Sequence, residues 1–142
     1  MSDQQELQTL AYSARILREY LSELVQRETL ISRLIAEHRA ALDSMNNLPS
    51  GEGDIECMMP LGGGVSVPAS VSGSAKYLVA VGAGVFMKKD RNSTMEFLNR
   101  KLQELEAALR DVSAQRGKVE EELAKLEDRL NSMYQGEPAG SA

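Results

Sequence analysis

A seven-residue apolar repeat runs through two long segments of this chain and leaves a glycine- and valine-rich stretch between them. In residues 2–47, Leu7, Ala14, Leu21, Glu28, Ile35 and Leu42 fall at heptad position a, with Leu10, Leu17, Leu24, Ile31, His38 and Met45 at d. In residues 93–134, Met95, Leu102, Leu109, Arg116, Leu123 and Leu130 fall at a, with Leu98, Leu105, Val112, Val119, Leu126 and Met133 at d. Ten of twelve core positions are apolar in the first segment and eleven of twelve in the second. Six uninterrupted heptads keep one apolar stripe turned toward a partner helix, so each segment is read as a coiled-coil helix. Ser2 with Gln5, and Ser93 with Glu96, have capping-box spacing at the two starts. Asn46-Asn47, Pro49 and Gly51 stop the first helix; Gly136 and Pro138 stop the second, leaving residues 135–142 as a tail.

The two repeats match in length. Leu7 to Met45 and Met95 to Met133 each span about 58 Å at helical rise. Folding back antiparallel sets Leu7 beside Met133 and Leu42 beside Leu98. That register brings Arg39 near Glu106 and Arg18 between Glu120 and Glu127, all at position e. The signs complement, and each exposed pair contributes about 0.2–1 kcal/mol, which sets register more than stability. The two charged core positions, Glu28 and Arg116, come within about one turn of facing each other. Either they pair across the seam and help specify register, or both reach out to solvent, and the sequence leaves the two open; Gly117 beside them costs about 1 kcal/mol relative to alanine in a helix.

Between the helices, Pro60-Leu61-Gly62-Gly63-Gly64-Val65 is echoed by Ala80-Val81-Gly82-Ala83-Gly84-Val85. Each copy reads as an apolar residue, Gly-x-Gly, then an apolar run, which predicts two β-hairpins turning at Gly62–Gly64 and Gly82–Gly84. Strands are expected over 57–62, 64–72, 75–82 and 84–89, after a polar connector at 48–57. Pro60 and Pro68 cannot donate ladder hydrogen bonds and belong at edges or bulges. Isolated hairpins are marginal in water and leave unpaired edges, so this middle (55–90) should use strands of other chains. The residues expected to pack in that assembly are Met59, Leu61, Val65, Val67, Val71, Leu78, Val79, Val81, Val85 and Phe86. The fold class is α+β, mostly α: one domain over 1–142, a long antiparallel coiled-coil hairpin joined through two central β-hairpins that complete an intersubunit β-barrel.

Several chemistries are absent from the sequence. Neither glycine cluster completes G-x-G-x-x-G, and no Gly-Lys-Ser/Thr occurs, so the glycines read as turns and no nucleotide cofactor is implied. His38 is the only histidine and Cys57 the only cysteine, which excludes catalytic triads, multi-histidine metal sites and an internal disulfide. A net charge of −5 without a Lys/Arg run beyond Lys88-Lys89 argues against nucleic acid. The N-terminus lacks the pattern of a signal peptide, and no apolar run is long enough to span a bilayer, so a soluble, cytoplasmic protein without enzymatic activity is expected.

The order helix, P-L-G-x-G-x-x-x-P-A (Pro60 to Ala69), L-V-x-V-G-A-G (Leu78 to Gly84), Lys88-Lys89, helix resembles the alpha-class prefoldin subunit over nearly the whole chain. The resemblance implies a hexamer of two alpha and four beta-class subunits, with two hairpins per alpha subunit building a double barrel. It further implies an ATP-independent holdase, which captures unfolded proteins at the coiled-coil ends and passes them to a group II chaperonin. The residue pattern fits: at the chain-terminal end of the helix pair the last apolar layers have nothing beyond them to cover them. Those layers are Leu7, Leu10 and Ala11 on one helix and Leu126, Leu130, Met133 and Tyr134 on the other. A coiled-coil adaptor or scaffold without general chaperone activity is the alternative.

Overall fold

The computed structural model describes residues 2–136 and contains six elements. They are helix α1 (Asp3–Asn47), strands β1 (Asp54–Gly62), β2 (Val65–Ser72), β3 (Tyr77–Gly82) and β4 (Val85–Lys89), and helix α2 (Arg91–Tyr134). Two long helices flank two antiparallel hairpins, as the repeats and glycine turns require. The chain divides into two compact units, residues 1–34 with 105–142, and residues 35–104.

The first unit is a helix pair. The α1 start is capped as its spacing predicts: the Gln5 N–H donates to Ser2 Oγ (3.3 Å), and the Ser2 N–H donates to Gln5 Oε1 (3.4 Å). Ala14 and Leu24 are fully buried, and Val119, Leu123 and Leu130 nearly so, all at heptad a or d positions. Ion pairs fix an antiparallel register. Arg18 Nε lies 3.3 Å from Glu127 Oε1, Arg116 Nε lies 2.9 Å from Glu28 Oε2, and Arg129 pairs with Glu6. Glu127 is therefore the partner of Arg18 in this structure, and the two charged core residues do meet.

The second unit holds the hairpins and the inner helix ends. β1 pairs with β2 from Asp54↔Ser72 to Gly62↔Val65, and β3 with β4 from Tyr77↔Lys89 to Gly82↔Val85. Each pair is its own two-stranded sheet. Both turns are two residues long, Gly63-Gly64 and Ala83-Gly84, with positive φ at both positions (59° and 79°; 52° and 75°). That is the backbone a right-twisted hairpin needs, and it favours glycine. The register slips one residue before each turn, so Gly62 and Gly82 close a bulge rather than occupy the turn centre.

Several expected element ends shift: β2 and β4 begin one residue later than expected, at Val65 and Val85, because Gly64 and Gly84 belong to the turns, and β3 begins at Tyr77 instead of residue 75. β1 starts at Asp54, so the connector is shorter than residues 48–57; Asp54 and Ile55 find partners in Ser72 and Val71. α2 starts at Arg91, and its cap is Asp90 instead of Ser93. The Ser93 N–H donates to Asp90 Oδ1 (2.7 Å), and Thr94 Oγ1 and its N–H both donate to the Asp90 carbonyl (2.7 and 3.0 Å). Ser93 holds the Asp90 carboxyl below its usual range, its backbone N–H first and its side chain next, with smaller help from the Lys76 and Lys89 charges. The helix beginning is tied to the end of α1, where Arg91 Nη1 donates to the Leu48 carbonyl at 2.9 Å and brings a cation to the negative end of that helix. Gly73 is held between the connector and the first hairpin, its N–H donating to the Gly53 carbonyl at 2.7 Å. A β-carbon there would lie 2.4 Å from the Gly51 carbonyl oxygen, so only glycine fits. At the other end of α2, Gly136 takes φ 74° and its N–H bonds the Met133 carbonyl, a glycine stop as expected; Pro138 lies outside the described residues.

Candidate functional site

Two surfaces carry the features singled out in the sequence. On the helix pair, Leu7, Leu10 and Ala11 are half-buried and pack against the cluster of Ala14, Leu123 and Leu130. Leu126 and Met133 are also half-buried, and Tyr134 is 70% exposed. Leu130 is only 6% exposed, so it closes the pair's own core and presents little to solvent. The other six tip residues keep apolar surface within reach of a partner. Beside them lies an open groove of about 610 Å³, floored by Leu17 and Leu126 and rimmed by Glu122, Lys125, Asp128 and Arg129.

The hairpins form the second surface. Met59, Leu61, Val65, Val67, Val71, Leu78, Val85 and Phe86 are all exposed, up to 66% for Leu78. Val79 is different: it is 8% exposed and already buried within this chain, and Val81 is half-buried. Met58 and Met87 are 61% and 48% exposed and belong to the same surface, although the strand pattern did not single them out. The signal was available, because each adjoins a residue that was selected and a two-stranded ribbon can expose both of its faces. So many large apolar side chains on unpaired ladders mark an interaction surface, not a solvent-adapted one. Cys57 is free and exposed on β1. The paired lysines split in role: Lys89 Nζ sits 5.7 Å from the Phe97 ring centre, which Lys101 Nζ also approaches at 5.9 Å, while Lys88 is exposed.

Inside the helix pair, Glu28 Oε2 accepts from Ser113 Oγ (2.7 Å) and Arg116 Nε (2.9 Å), while Arg116 Nη1 reaches Glu120 Oε1 (2.8 Å). The Ser113 hydroxyl, then the Arg116 guanidinium, holds the Glu28 carboxyl below its ordinary range. The same pairs, Glu28 foremost, raise Arg116. No helix among the described residues is long and apolar enough to cross a membrane.

Comparison with known proteins fits this architecture. Residues 17–136 match the family described as Prefoldin subunit. The chain is 30% identical over 131 residues to a Prefoldin subunit alpha of Methanocorpusculum labreanum, covering 92% of this chain and 89% of that one. It is 34% identical over 101 residues to the Prefoldin subunit alpha of Thermofilum pendens, covering 71% and 78%. Among solved structures, the prefoldin beta subunit from Thermococcus strain KS-1 superimposes with a TM-score of 0.65 at 20% identity, over 90% of this chain and 91% of that one. A chain of the filamentous assembly from Methanocaldococcus jannaschii gives 0.56 at 18% identity, over 88% and 98%.

Proposed function

The chain belongs to the prefoldin family, and from that premise we propose that it is the alpha-class subunit of a cytoplasmic, ATP-independent holdase. Its hairpins join those of beta-class subunits in a barrel of two alpha and four beta chains. Unfolded clients bind at the ends of the helix pairs and pass from there to a group II chaperonin. The observation that carries this reading is the half-covered apolar layer of Leu7, Leu10, Ala11, Leu126 and Met133 beside the exposed Tyr134. Several such weak, adaptable patches around one cavity retain a client by avidity, with no tight site on any one chain. Nothing in this scheme consumes nucleotide.

The test is light scattering of a chemically denatured client diluted into buffer without nucleotide. Suppression of aggregation by the chain mixed with a beta-class subunit, and weaker suppression by the chain alone, is the expected result. Removing residues 1–11 and 127–142 should abolish suppression and leave the hexamer mass intact. Unchanged suppression by the truncated assembly would overturn the tip assignment. One observation favours the adaptor reading: Leu130 is buried in the pair's own core, which makes that layer partly structural. A stable hexamer that suppresses nothing would select it.

A further inference from the structure

The a/d seam is not the only apolar line on α1. Ile16, Tyr20 and Leu30 are 43%, 39% and 47% exposed, and half-buried Leu34 continues the same line. They occupy heptad positions c and g, about 110° around the helix from the seam that α2 covers. α2 has no counterpart, since Tyr134 is its only large exposed apolar residue among those described. The c/g line is interrupted midway by Glu23 and Arg27, and neither forms an ion pair within the described residues. At that midpoint the surface opens into a groove of about 270 Å³ lined by Glu23, Gln26, Arg27 and Leu30.

The order of these residues is symmetric about position 25. Glu23 and Arg27 stand two residues either side of it, Tyr20 and Leu30 five, Ile16 and Leu34 nine. A two-fold interface requires that if one residue contacts another, the second contacts the first on the partner copy. Antiparallel α1 helices meeting at position 25 satisfy this at all three levels. Ile16 meets Leu34, Tyr20 meets Leu30, and Glu23 meets Arg27, each twice. The alternating spacing of four and three residues is that of a second coiled-coil seam, and its two central ion pairs are self-complementary. A parallel pair would instead stack Glu23 on Glu23 and Arg27 on Arg27.

We propose that the c/g face of α1 is a docking surface for a second copy of this chain, running antiparallel, in the register centred on position 25. The inference rests on that face alone and holds for either reading of client handling. It gives copies whose hairpins are engaged elsewhere a way to mate through their helices.

Site-directed thiol cross-linking of the full-length chain, alone and assembled with a beta-class subunit, tests it in a Cys57→Ser background. Tyr20→Cys mixed with Leu30→Cys should link efficiently through a short bismaleimide. Tyr20→Cys alone should link poorly, because its two copies stand about 15 Å apart along the axis in this register. Adding Glu23→Lys to both chains should cut the 20–30 link roughly tenfold by turning two attractions into repulsions. Adding Arg27→Glu as well should restore it. Self-linking of Tyr20→Cys as strong as the mixed link, or indifference to the charge reversals, would overturn the proposal. So would preferential linking to an added unfolded polypeptide bearing a thiol, which would assign the face to clients.

Discussion

Gly117→Ala gives a measurable test of how the helix pair is stabilised. Gly117 lies inside α2, one residue from the Arg116 side chain that crosses to Glu28. Glycine in a helix interior costs about 0.8–1 kcal/mol relative to alanine, chiefly through the freedom it retains in the unfolded chain. Whether that gain is realised depends on space, and here a β-carbon on residue 117 meets nothing within 4 Å. No steric loss offsets the gain, so the substitution should stabilise the protein by about 1 kcal/mol. For a chain of this size that raises the melting temperature by about 3–5 °C. The assay is far-ultraviolet circular dichroism at one fixed protein concentration, because assembly makes the midpoint depend on concentration. Urea titration should show a higher midpoint with an unchanged slope. An unchanged or lower melting temperature would refute the reasoning. It would mean that the glycine relieves a constraint in the assembled protein, such as close approach of another chain at this level.

Replacing Glu28 and Arg116 together by leucine should raise the melting temperature, whereas Arg116→Leu alone should lower it by leaving the half-buried Glu28 carboxylate without its cation. If the pair specifies register, the double variant will also populate more than one species in native mass spectrometry. Because the folded state holds Glu28 below its ordinary range, its contribution is complete above that range and is lost as acid protonates the folded form. Thermal stability should therefore fall below about pH 5 more steeply in the wild-type chain than in the double leucine variant, as read by melting at a series of pH values. Ala83→Gly should stabilise the second hairpin by about 0.5 kcal/mol, because Ala83 adopts φ 52° where the first hairpin has Gly63, and amide exchange in β3 and β4 should slow. Gly73→Ala should cost about 1–3 kcal/mol through collision with the Gly51 carbonyl, seen as a lower urea midpoint.

The helices were legible because a seven-residue period over six heptads has few competing explanations, and every a and d position is buried or half-buried in the structure. The register was legible for the same reason: charges at fixed heptad positions can complement in few alignments, and Arg18–Glu127 and Glu28–Arg116 realise one of them. The ends were harder. Ser93 and Glu96 have capping-box spacing, but Asp90 is also an excellent cap, and spacing alone does not rank the two. The tie from Arg91 to Leu48 decides in favour of the earlier start, and that contact joins residues 43 positions apart. The outward line on α1 is not legible in the repeat, because the a/d seam accounts for the heptad and positions c and g ordinarily face solvent.

The hairpins show what local pattern cannot hold by itself. Their turns, bulges and pairing follow from glycine placement, which needs no partner. Burial does not follow: among the described residues Val79 is the only buried one in a strand, while Met58, Leu61, Leu78 and Phe86 each expose more than half their surface. Covering those four side chains is worth about 1.5–3 kcal/mol for each one fully buried, and two-stranded ribbons offer no second layer to do it. The helix pair closes its own core at Ala14, Leu24 and Leu123, whereas nothing among the described residues closes over the exposed hairpin surface. With that surface covered by other subunits, as proposed above, assembly is part of folding for the middle of this chain. Substitutions at Leu78 or Phe86 should therefore act on subunit association before they act on the helices.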